Sequence, residues 1–344
     1  MSRSSSRAPR ILGDGWYSWI GSRFVPLTDV VSGLPGPLQR LVLGVGALRG
    51  CALALASVRF GAVAVIRYDP GWRSLLLLRA VCGRRRKLVV LQFIDHPPSP
   101  RGLRRIGDLV WAPIDRWSIR RAMKVGHVLS RAELIEYPRR FGVEAERFRL
   151  IPWLLRRTPR DGQPPAPADG PVLAAGRAHC DWHTLLAAAA RRNWDLTIVC
   201  AAGDVRQVED LNTKCHASAR VLSEVPHAQM RAILNSASVC VICLQDGVTS
   251  RGHVRLCDAT DAGAAVVATD VRSFEGYVEP GRTALLVPPG DARALRTAVE
   301  QLLQSTELRR RVAEAAFEHA ATWTGQHYLN AIERLGEEAA ACSP

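Results

Sequence analysis

The sequence of 344 residues lacks any apolar run long enough to cross a membrane. Its longest apolar stretch, residues 41–66, is interrupted by Arg49 and Arg59. A spanning helix needs about 18 or more consecutive, mainly apolar residues. The first ten residues are basic and rich in serine, but the apolar core of a secretory signal does not follow them. We therefore expect a cytoplasmic protein.

The sequence also lacks a cysteine framework, although it contains nine cysteines. Cys240 and Cys243 form a C-x-x-C pair within VCVICL, a run typical of a buried strand. Residues three apart in a strand point to opposite faces of the sheet. Because no second pair and no nearby histidine completes a zinc set, we expect reduced core cysteines and no metal site.

Acidic residues are scarce in the first half of the chain. Residues 1–158 hold 28 Lys/Arg and 10 Asp/Glu, a balance of +18, whereas the remainder holds 18 and 22, a balance of −4. Such a basic half favours an anionic partner. Zinc-finger spacing and stacking aromatics between the basic residues are missing, so we expect no nucleic acid partner. The basic clusters at residues 84–87, 101–105 and 116–124 instead favour peripheral contact with an anionic membrane, at its inner face.

Apolar runs of strand length alternate with helix-length segments on both sides of a proline-rich stretch. This alternation predicts two successive α/β domains, each with a parallel sheet covered on both faces. Residues 41–58 are predicted to form one helix, with burial in the core favoured over docking at a membrane. The predicted organisation is an N-terminal domain over residues 1–157, a linker over 158–170, a second domain over 171–321 and a C-terminal helix within 322–344 that completes the first domain.

Residues 247–291 carry most of the functional information. They read GVTSRGHVRLCDATDAGAAVVATDVRSFEGYVEPGRTALLVPPGD. A helix with Asp258 near its middle precedes a buried strand at residues 265–269. The loop before this helix ends in Gly252 and His253, which predicts a helix N-terminus that binds an anion. Gly252 allows close approach of the backbone, and His253 can donate a hydrogen bond.

A second motif, VLAAGRAHCDWHTLL, places Gly176 and Arg177 at the end of a strand. Together the two motifs resemble the retaining group 1 branch, family 4, of the GT-B glycosyltransferases. In that family the longer segment reads E-G-F-G-x-x-x-x-E-A-M-A-x-G-x-P-V-V-A-T-D and ends in G-L-L-V-P-P-G-D. The resemblance implies a GT-B fold of two doubly wound, Rossmann-like α/β domains that face each other across a cleft.

The resemblance also implies the activity. A metal-independent hexosyltransferase of this family moves a sugar from a nucleoside-diphosphate sugar to a glycan or polyprenyl-linked acceptor, with retention of configuration. It needs no cofactor beyond the donor substrate. The N-terminal domain would receive the acceptor and the C-terminal domain the donor.

Site residues follow from the family's motifs. Arg177 would clamp the diphosphate, Asp258 would bind the ribose, and His253 and His96 would line the sugar cleft. Further donor contacts are expected from the following residues: Gly176, Ser223, Val225, Ser250, Arg251 and Gly252. Ser223 and Val225 lie in RVLSEVPHAQMRAIL, which resembles the element whose loop backbone receives the base.

Two departures from the family keep an alternative open. Ser250 stands where the family has its first glutamate, and Trp182 stands where it has a lysine that helps to hold the diphosphate. Arg251 could replace that charge. The chain could instead be a non-catalytic GT-B homologue that acts as a binding subunit of a glycan-assembly complex. A phosphorylase of the same fold needs a lysine that carries its cofactor, and none of the three lysines stands at a suitable place.

Overall fold

The structure is a computed structural model that describes residues 10–13, 24–67, 69–82, 87–95, 103–155 and 169–341. At residues 103–105 and 108 only the backbone is described. The chain divides into two compact units. The first unit comprises Met1–Ile151 and Tyr328–Pro344, and the second comprises Pro152–His327. Residue 96 and residues 156–168, which include most of the predicted linker over 158–170, lie outside the described part.

The first unit contains a parallel sheet of six strands. They are β1 (Ile11–Gly13), β2 (Phe24–Pro26), β3 (Ala62–Ile66), β4 (Leu88–Leu91), β5 (Met123–Val128) and β6 (Phe148–Leu150). Their spatial order is β2-β1-β3-β4-β5-β6, so the chain winds outward in both directions from β1 and β3. β3 and β4 are buried along most of their length, which explains their unbroken apolar sequences.

Helices cover this sheet. They are α1 (Leu27–Val30), α2 (Gly36–Gly44), α3 (Gly46–Ala56), α4 (Trp72–Cys82), α5 (Leu103–Ala122) and α6 (Arg131–Phe141). The sequence dictates the ends of α6 clearly. Ser130 accepts a hydrogen bond from the backbone N–H of Glu133, and Gly142 ends the helix in the left-handed conformation.

The predicted single helix over residues 41–58 is wrong. The chain forms α2 and α3 instead, because Val45 adopts an extended conformation between Gly44 and Gly46. No residue of α2 is buried, so the prediction of a core helix is also wrong for this segment. Within the described residues no single helix has the length and apolar character of a membrane span, and Gly36–Gly44 and Gly46–Arg59 have them only as a pair bent by 102°.

The second unit repeats the parallel arrangement. Its strands are β7 (Val172–Ala175), β8 (Leu196–Cys200), β9 (Arg220–Ser223), β10 (Val239–Ile242), β11 (Ala265–Thr269) and β12 (Leu285–Val287). The spatial order β12-β11-β10-β7-β8-β9 is that of the doubly wound dinucleotide-binding fold. Cys240 and Cys243 pack in separate clusters of buried residues, as predicted for a strand buried on both faces. Burial raises the pKa of each thiol to about 12.

The remaining helices follow these strands. They are α7 (Trp182–Ala189), α8 (Val205–Cys215), α9 (His227–Ser236), α10 (His253–Ala262), α11 (Ala292–Gln304), α12 (Thr306–His319) and α13 (Gly325–Ala340). Most of α13 belongs to the first unit, where Tyr328 packs on His127 and Glu338 pairs with Arg149. The second unit begins at Pro152 because the N–H of Trp153 donates to the hydroxyl of Tyr277.

Candidate functional site

The chain reverses its direction of winding between β7 and β10, which are neighbours in the second sheet. In open parallel sheets this switch point opens a crevice beyond the carboxyl ends of the two strands, where ligands bind. Gly176 and Arg177 follow β7 directly, and the loop of residues 243–252 joins β10 to α10. Both predicted motifs therefore meet at the position that the fold reserves for a ligand.

A pocket of about 230 Å³ lies at this place. Its walls come from Arg177, from Val225 and from two helices, α9 and α10. The lining residues are Arg177, Val225, His227, Met230, Arg231, Leu234, Asn235, Val254, Arg255, Asp258, Asp261 and Ala262. The structure thus places Arg177, Val225 and Asp258, three of the predicted residues, around one cavity. A volume below the roughly 300 Å³ of typical small-molecule sites suits part of a nucleotide sugar.

Helical spacing explains which side chains reach the pocket. Arg255 and Asp261 lie three positions before and after Asp258, so they share one face of α10 with it. On α9, His227 and Arg231 are spaced four apart and line the same pocket. This periodicity was the available signal for Arg231, Arg255, Asp261 and His227, none of which the motif comparison identified.

The charges in the pocket suit a phosphate-bearing ligand with free hydroxyls. Arg177, Arg231 and Arg255 contribute three guanidinium groups, against the two carboxyl groups of Asp258 and Asp261. Arg255 Nη1 donates to Asp258 Oδ2 over 3.4 Å, and both side chains are largely buried. Guanidinium groups match paired phosphate oxygens, and a carboxylate accepts hydrogen bonds from ribose hydroxyls.

Gly176 is required by packing at the end of β7. Its N–H donates to the carbonyl of Val199 over 3.0 Å, and a Cβ here would collide with the Sγ of Cys180. Nearby Trp182, at the position of the family's lysine, is buried and donates from Nε1 to Asp204 over 3.1 Å. Trp182 is therefore a structural residue of α7 and brings no charge to the pocket.

Gly252 precedes α10 in the left-handed conformation, with φ of 78°. A Cβ at this position would lie 2.8 Å from Phe274 Cζ and 2.9 Å from Leu244 Cδ1. The glycine therefore allows the loop to turn into the helix directly above the core. Ser250, two residues earlier, is half-buried and is not among the residues that line the pocket.

Arg251 stabilises the loop that precedes α10. Its Nη1 donates to the carbonyls of Gln245 and Asp246 over 3.1 and 3.3 Å, and its Nε donates to Thr249 over 3.1 Å. These bonds hold the guanidinium on its own loop rather than in the pocket. The additional cations of the pocket are Arg231 and Arg255, so the predicted replacement of the missing lysine by Arg251 is not supported by this placement.

The ring of His253 lies in the core of the second unit. Its Nε2 donates to the carbonyl of Ser273 over 2.7 Å, and its centroid lies 4.3 Å from that of Tyr277 and 5.7 Å from that of Phe274. Burial lowers the pKa of His253 to about 4, against a smaller opposing effect of the bond to Ser273. A sugar-contacting role for His253 therefore stays a prediction, and it would require the ring to leave this packing.

Ser223 ends β9 and is not among the residues that line the pocket, although Val225 is. His96 lies outside the described residues. Its neighbour Asp95 is buried in the first unit, where it pairs with Arg67 at 2.5 Å and with Arg140 at 2.8 Å.

No group of three or more His, Cys, Asp or Glu side chains that could hold a metal ion occurs in the described part of the chain. Three arginine side chains, Arg177, Arg231 and Arg255, bring positive charge to the pocket.

Comparison with known sequences places this pocket within a recognised domain. Residues 173–305 match the sequence profile described as "Glycosyl transferases group 1". The chain is 31% identical to a phosphatidyl-myo-inositol mannosyltransferase of Mycobacterium leprae over 144 aligned residues. This alignment covers 42% of this chain and 38% of that protein. It is 31% identical over 170 residues to the lipopolysaccharide core biosynthesis glycosyltransferase LpsE of Rhizobium meliloti, 48% of each protein. The matches thus span less than half the length of these relatives.

Solved structures extend the likeness to almost the whole chain. Sucrose-phosphate synthase from Thermosynechococcus elongatus superposes with a TM-score of 0.66 at 21% identity, over 92% of this chain and 80% of that one. Anabaena HepE in complex with UDP gives a TM-score of 0.65 at 14% identity, over 94% and 98%. These likenesses confirm the predicted two-domain α/β fold of the GT-B class.

Proposed function

We propose that this chain, whose residues 173–305 form a group 1 glycosyltransferase domain, transfers a sugar from a nucleoside-diphosphate sugar to a glycan or lipid-linked acceptor, with retention of configuration. The observation that carries the proposal is that Arg177 and Asp258, which follow different strands, line one pocket at the switch point of the second sheet. The second unit receives the donor, and the first unit receives the acceptor.

Each side chain of the pocket has a role in this proposal. Arg177, with Arg255 and Arg231, stabilises the negative charge that builds on the diphosphate as it leaves. Positive groups that are already oriented toward this charge lower the barrier, because they need no reorganisation during the reaction. Asp258 accepts hydrogen bonds from the ribose. In this proposal arginines alone, without a metal ion or a cofactor, stabilise the leaving group.

The relatives support the choice of donor and acceptor. The HepE structures contain UDP, UDP and glucose, or UDP-glucose. The two curated relatives are named for a phosphoinositide acceptor and for lipopolysaccharide core synthesis. We therefore place the reaction in the cytoplasm, at the inner face of the cell membrane, with a polyprenyl-linked or other lipid-linked acceptor.

A thermal-shift screen of UDP-, GDP- and other nucleotide sugars tests the donor site. One nucleotide class should stabilise the protein by about 3 kcal/mol at a hundredfold excess over its Kd. Arg177→Ala should weaken binding by about 10- to 100-fold, because it removes a hydrogen-bonded charge. Arg206→Ala, which removes an exposed arginine of α8 outside the pocket, is the matched control. Equal shifts for both variants would remove Arg177 from the phosphate site.

The alternative, a non-catalytic binding subunit, has one structural observation in its favour. Trp182 is buried in α7 and Ser250 carries no charge, so two charged groups of the family are missing. Turnover distinguishes the two functions. With a stabilising donor and lipid-linked acceptors supplied, an enzyme releases nucleoside diphosphate in proportion to acceptor glycosylated. A scaffold releases none, whether or not it binds the donor.

A further inference from the structure

Large apolar side chains are exposed mainly in the first unit. Of the 16 exposed large hydrophobic residues in the described chain, 14 lie between Val30 and Trp117. Exposed apolar residues that are scattered singly need no explanation, but a concentrated set indicates an interaction surface. Among the described residues of the second unit there is a single such residue, Val254, which lines the pocket.

The clearest part of this set is a stripe along α5. It consists of Ile106, Leu109, Val110, Pro113 and Trp117, and all five are exposed. At about 100° per residue, these positions fall within an arc of about 100° on the helix surface. Leu109 and Val110 are 60% and 58% exposed. The helix therefore turns an apolar face away from its own domain.

The opposite face of α5 already has its partner. Ser118, Ile119 and Ala122 are buried against the rest of the first unit. The helix therefore has two apolar faces, one in the core and one exposed. Core packing does not explain the exposed stripe.

A second apolar surface lies on α2, which has no buried residue. Leu38 and Leu41 are exposed within the helix, and Leu34 and Val45 are exposed just outside its two ends. The spacing of three residues places Leu38 and Leu41 on one side of the helix. α2 carries a single charged residue, Arg40, whereas a helix exposed to water normally carries several charged or polar residues.

Positive charge surrounds the apolar stripe of α5. Arg116 and Arg120 are exposed on the same helix: Arg116 lies beside the stripe, and Arg120 follows the stripe at the C-terminal end of the helix. Arg121 lies on the other side, and its guanidinium is 5.9 Å from the centroid of the Trp117 ring. Residues 31–122 contain 16 Lys/Arg and 4 Asp/Glu. An apolar stripe with a tryptophan and flanking arginines is typical of a helix that lies in the interface of an anionic bilayer.

We propose that the exposed stripe of α5, together with α2, docks the first unit on an anionic lipid bilayer. The stripe inserts among the headgroups, and the flanking arginines contact lipid phosphates. This inference rests on the proposed function, which supplies the lipid-linked acceptor. It adds the surface through which the chain reaches that acceptor. A second copy of the chain is a poorer occupant, because a two-fold contact over the stripes would bring the flanking arginines of both copies together.

Co-sedimentation with vesicles tests the docking surface in the whole chain of 344 residues. Wild type should bind vesicles of mixed phosphatidylglycerol and phosphatidylcholine and should bind pure phosphatidylcholine far more weakly. The Leu109→Asp, Val110→Asp double variant should bind at least about 100-fold more weakly, because it places charge in the inserted stripe. Arg116→Gln with Arg120→Gln should lower affinity by roughly fivefold for each charge.

Ile135→Asp is the matched control, since Ile135 is exposed on α6 outside the stripe. Vesicle binding at the wild-type level by Ile135→Asp would support the docking surface. A loss of vesicle binding equal to that of the Leu109→Asp, Val110→Asp variant would overturn it. The proposal also fails if the chain does not bind anionic vesicles, or if it forms a dimer that Leu109→Asp dissociates. Donor-induced thermal shifts, recorded on the same variants without vesicles, report on the pocket of the second unit. An intact donor-induced shift in an unaltered chain that does not bind anionic vesicles would refute the docking surface and leave the proposed function standing.

Discussion

Arg251 and Arg255 are four residues apart in the sequence, but Arg251 lies in the loop before α10 and Arg255 lies within the helix. Arg251 donates to three carbonyls of its own loop, whereas Arg255 lines the pocket beside Asp258. The first arginine therefore contributes to loop structure and the second to the charge that a ligand meets.

Arg255→Ala should weaken binding of the stabilising nucleotide sugar by about 10- to 100-fold with little change in Tm, because it removes a charged donor from the pocket. Arg251→Ala should lower the Tm, because three carbonyls lose their partner. Isothermal titration calorimetry and thermal unfolding measure the two effects. Unchanged stability together with lost binding in Arg251→Ala would instead place Arg251 in the site.

His253 should make the second unit sensitive to acid. Its folded-state pKa of about 4 lies below the ordinary value of 6.5, because burial disfavours the charged ring. The unfolded chain therefore binds the proton more readily. The neutral ring therefore contributes on the order of 3 kcal/mol to the free energy of unfolding. This contribution is fully present above pH 6.5 and is lost as the pH falls toward 4.

The measurement is urea unfolding between pH 7 and pH 4, for wild type and for His253→Gln, whose amide can still donate to Ser273. The difference in unfolding free energy between the two proteins should shrink as the pH falls below 6.5. Parallel curves would show that the ring does not titrate with a lowered pKa. Comparing the two proteins cancels the titration of carboxylates that they share.

At the scale of single residues, motif comparison predicted that Arg177, Val225 and Asp258 contact the same donor, and in the structure all three line one pocket. Arg231 and Arg255 were not predicted, because they lie within helices and depend on which face of each helix is turned to the cavity. Sequence spacing gives the members of a face but not its orientation. Burial of the His253 ring likewise depends on Tyr277 and Phe274, which follow it by more than twenty residues.

The junction between β10 and α10 depends on a single backbone conformation. Gly252→Ala should lower the stability of the second unit by about 2–4 kcal/mol, because a positive φ and a Cβ close to Phe274 both oppose alanine. Donor binding should fall with it, since the loop and the first turn of α10 shift together.

Gly203→Ala is the matched control. A Cβ at Gly203 meets nothing within 4 Å, so this variant should unfold like wild type. Chemical denaturation measures both, and donor titration follows the pocket. Equal stability of the two variants would mean that the β10–α10 junction tolerates a side chain.

At the scale of elements, the sequence marks the ends of α6 most clearly, because Ser130 caps its first turn and Gly142 ends it in the left-handed conformation. β1 and β2 were not predicted, because strands of three residues carry almost no periodicity. The break between α2 and α3 was missed because apolar residues continue across it, and a continuous apolar run cannot indicate which side is buried.

α13 connects the end of the chain to its beginning. A Cβ on Gly336 would lie 2.8 Å from Ile11 Cγ1 and closer still to Cδ1, so the helix packs on β1 through this glycine. Gly336→Ala should therefore destabilise the first unit by about 1–3 kcal/mol, although alanine favours helix by up to 1 kcal/mol.

Gly325→Ala on the same helix meets nothing within 4 Å and should be neutral or slightly stabilising. Hydrogen exchange resolved by segment measures the outcome. Protection should fall in β1 and β3 and remain unchanged in β7 and β10. Loss of protection throughout the chain would mean that the two units unfold as one.

For the whole molecule, composition predicted two α/β domains and a basic first half. The predicted first domain ends at residue 157, whereas the compact first unit ends at Ile151. Trp153 and Leu155 follow the first sheet in sequence, but their N–H groups bond to Tyr277 and Trp323. Such contacts over more than a hundred residues leave no local signal.

The first unit comprises two segments of the chain, Met1–Ile151 and Tyr328–Pro344, and residues 152–327 form the second unit between them. In topological terms the second unit is therefore an insertion in the first, and its second junction falls inside α13. Under the proposed function, a second unit exchanged at Ile151 and His327 would bring a different nucleotide-sugar specificity to an unchanged first unit. Recombination at these two junctions would then change the donor and leave the strands of both sheets intact.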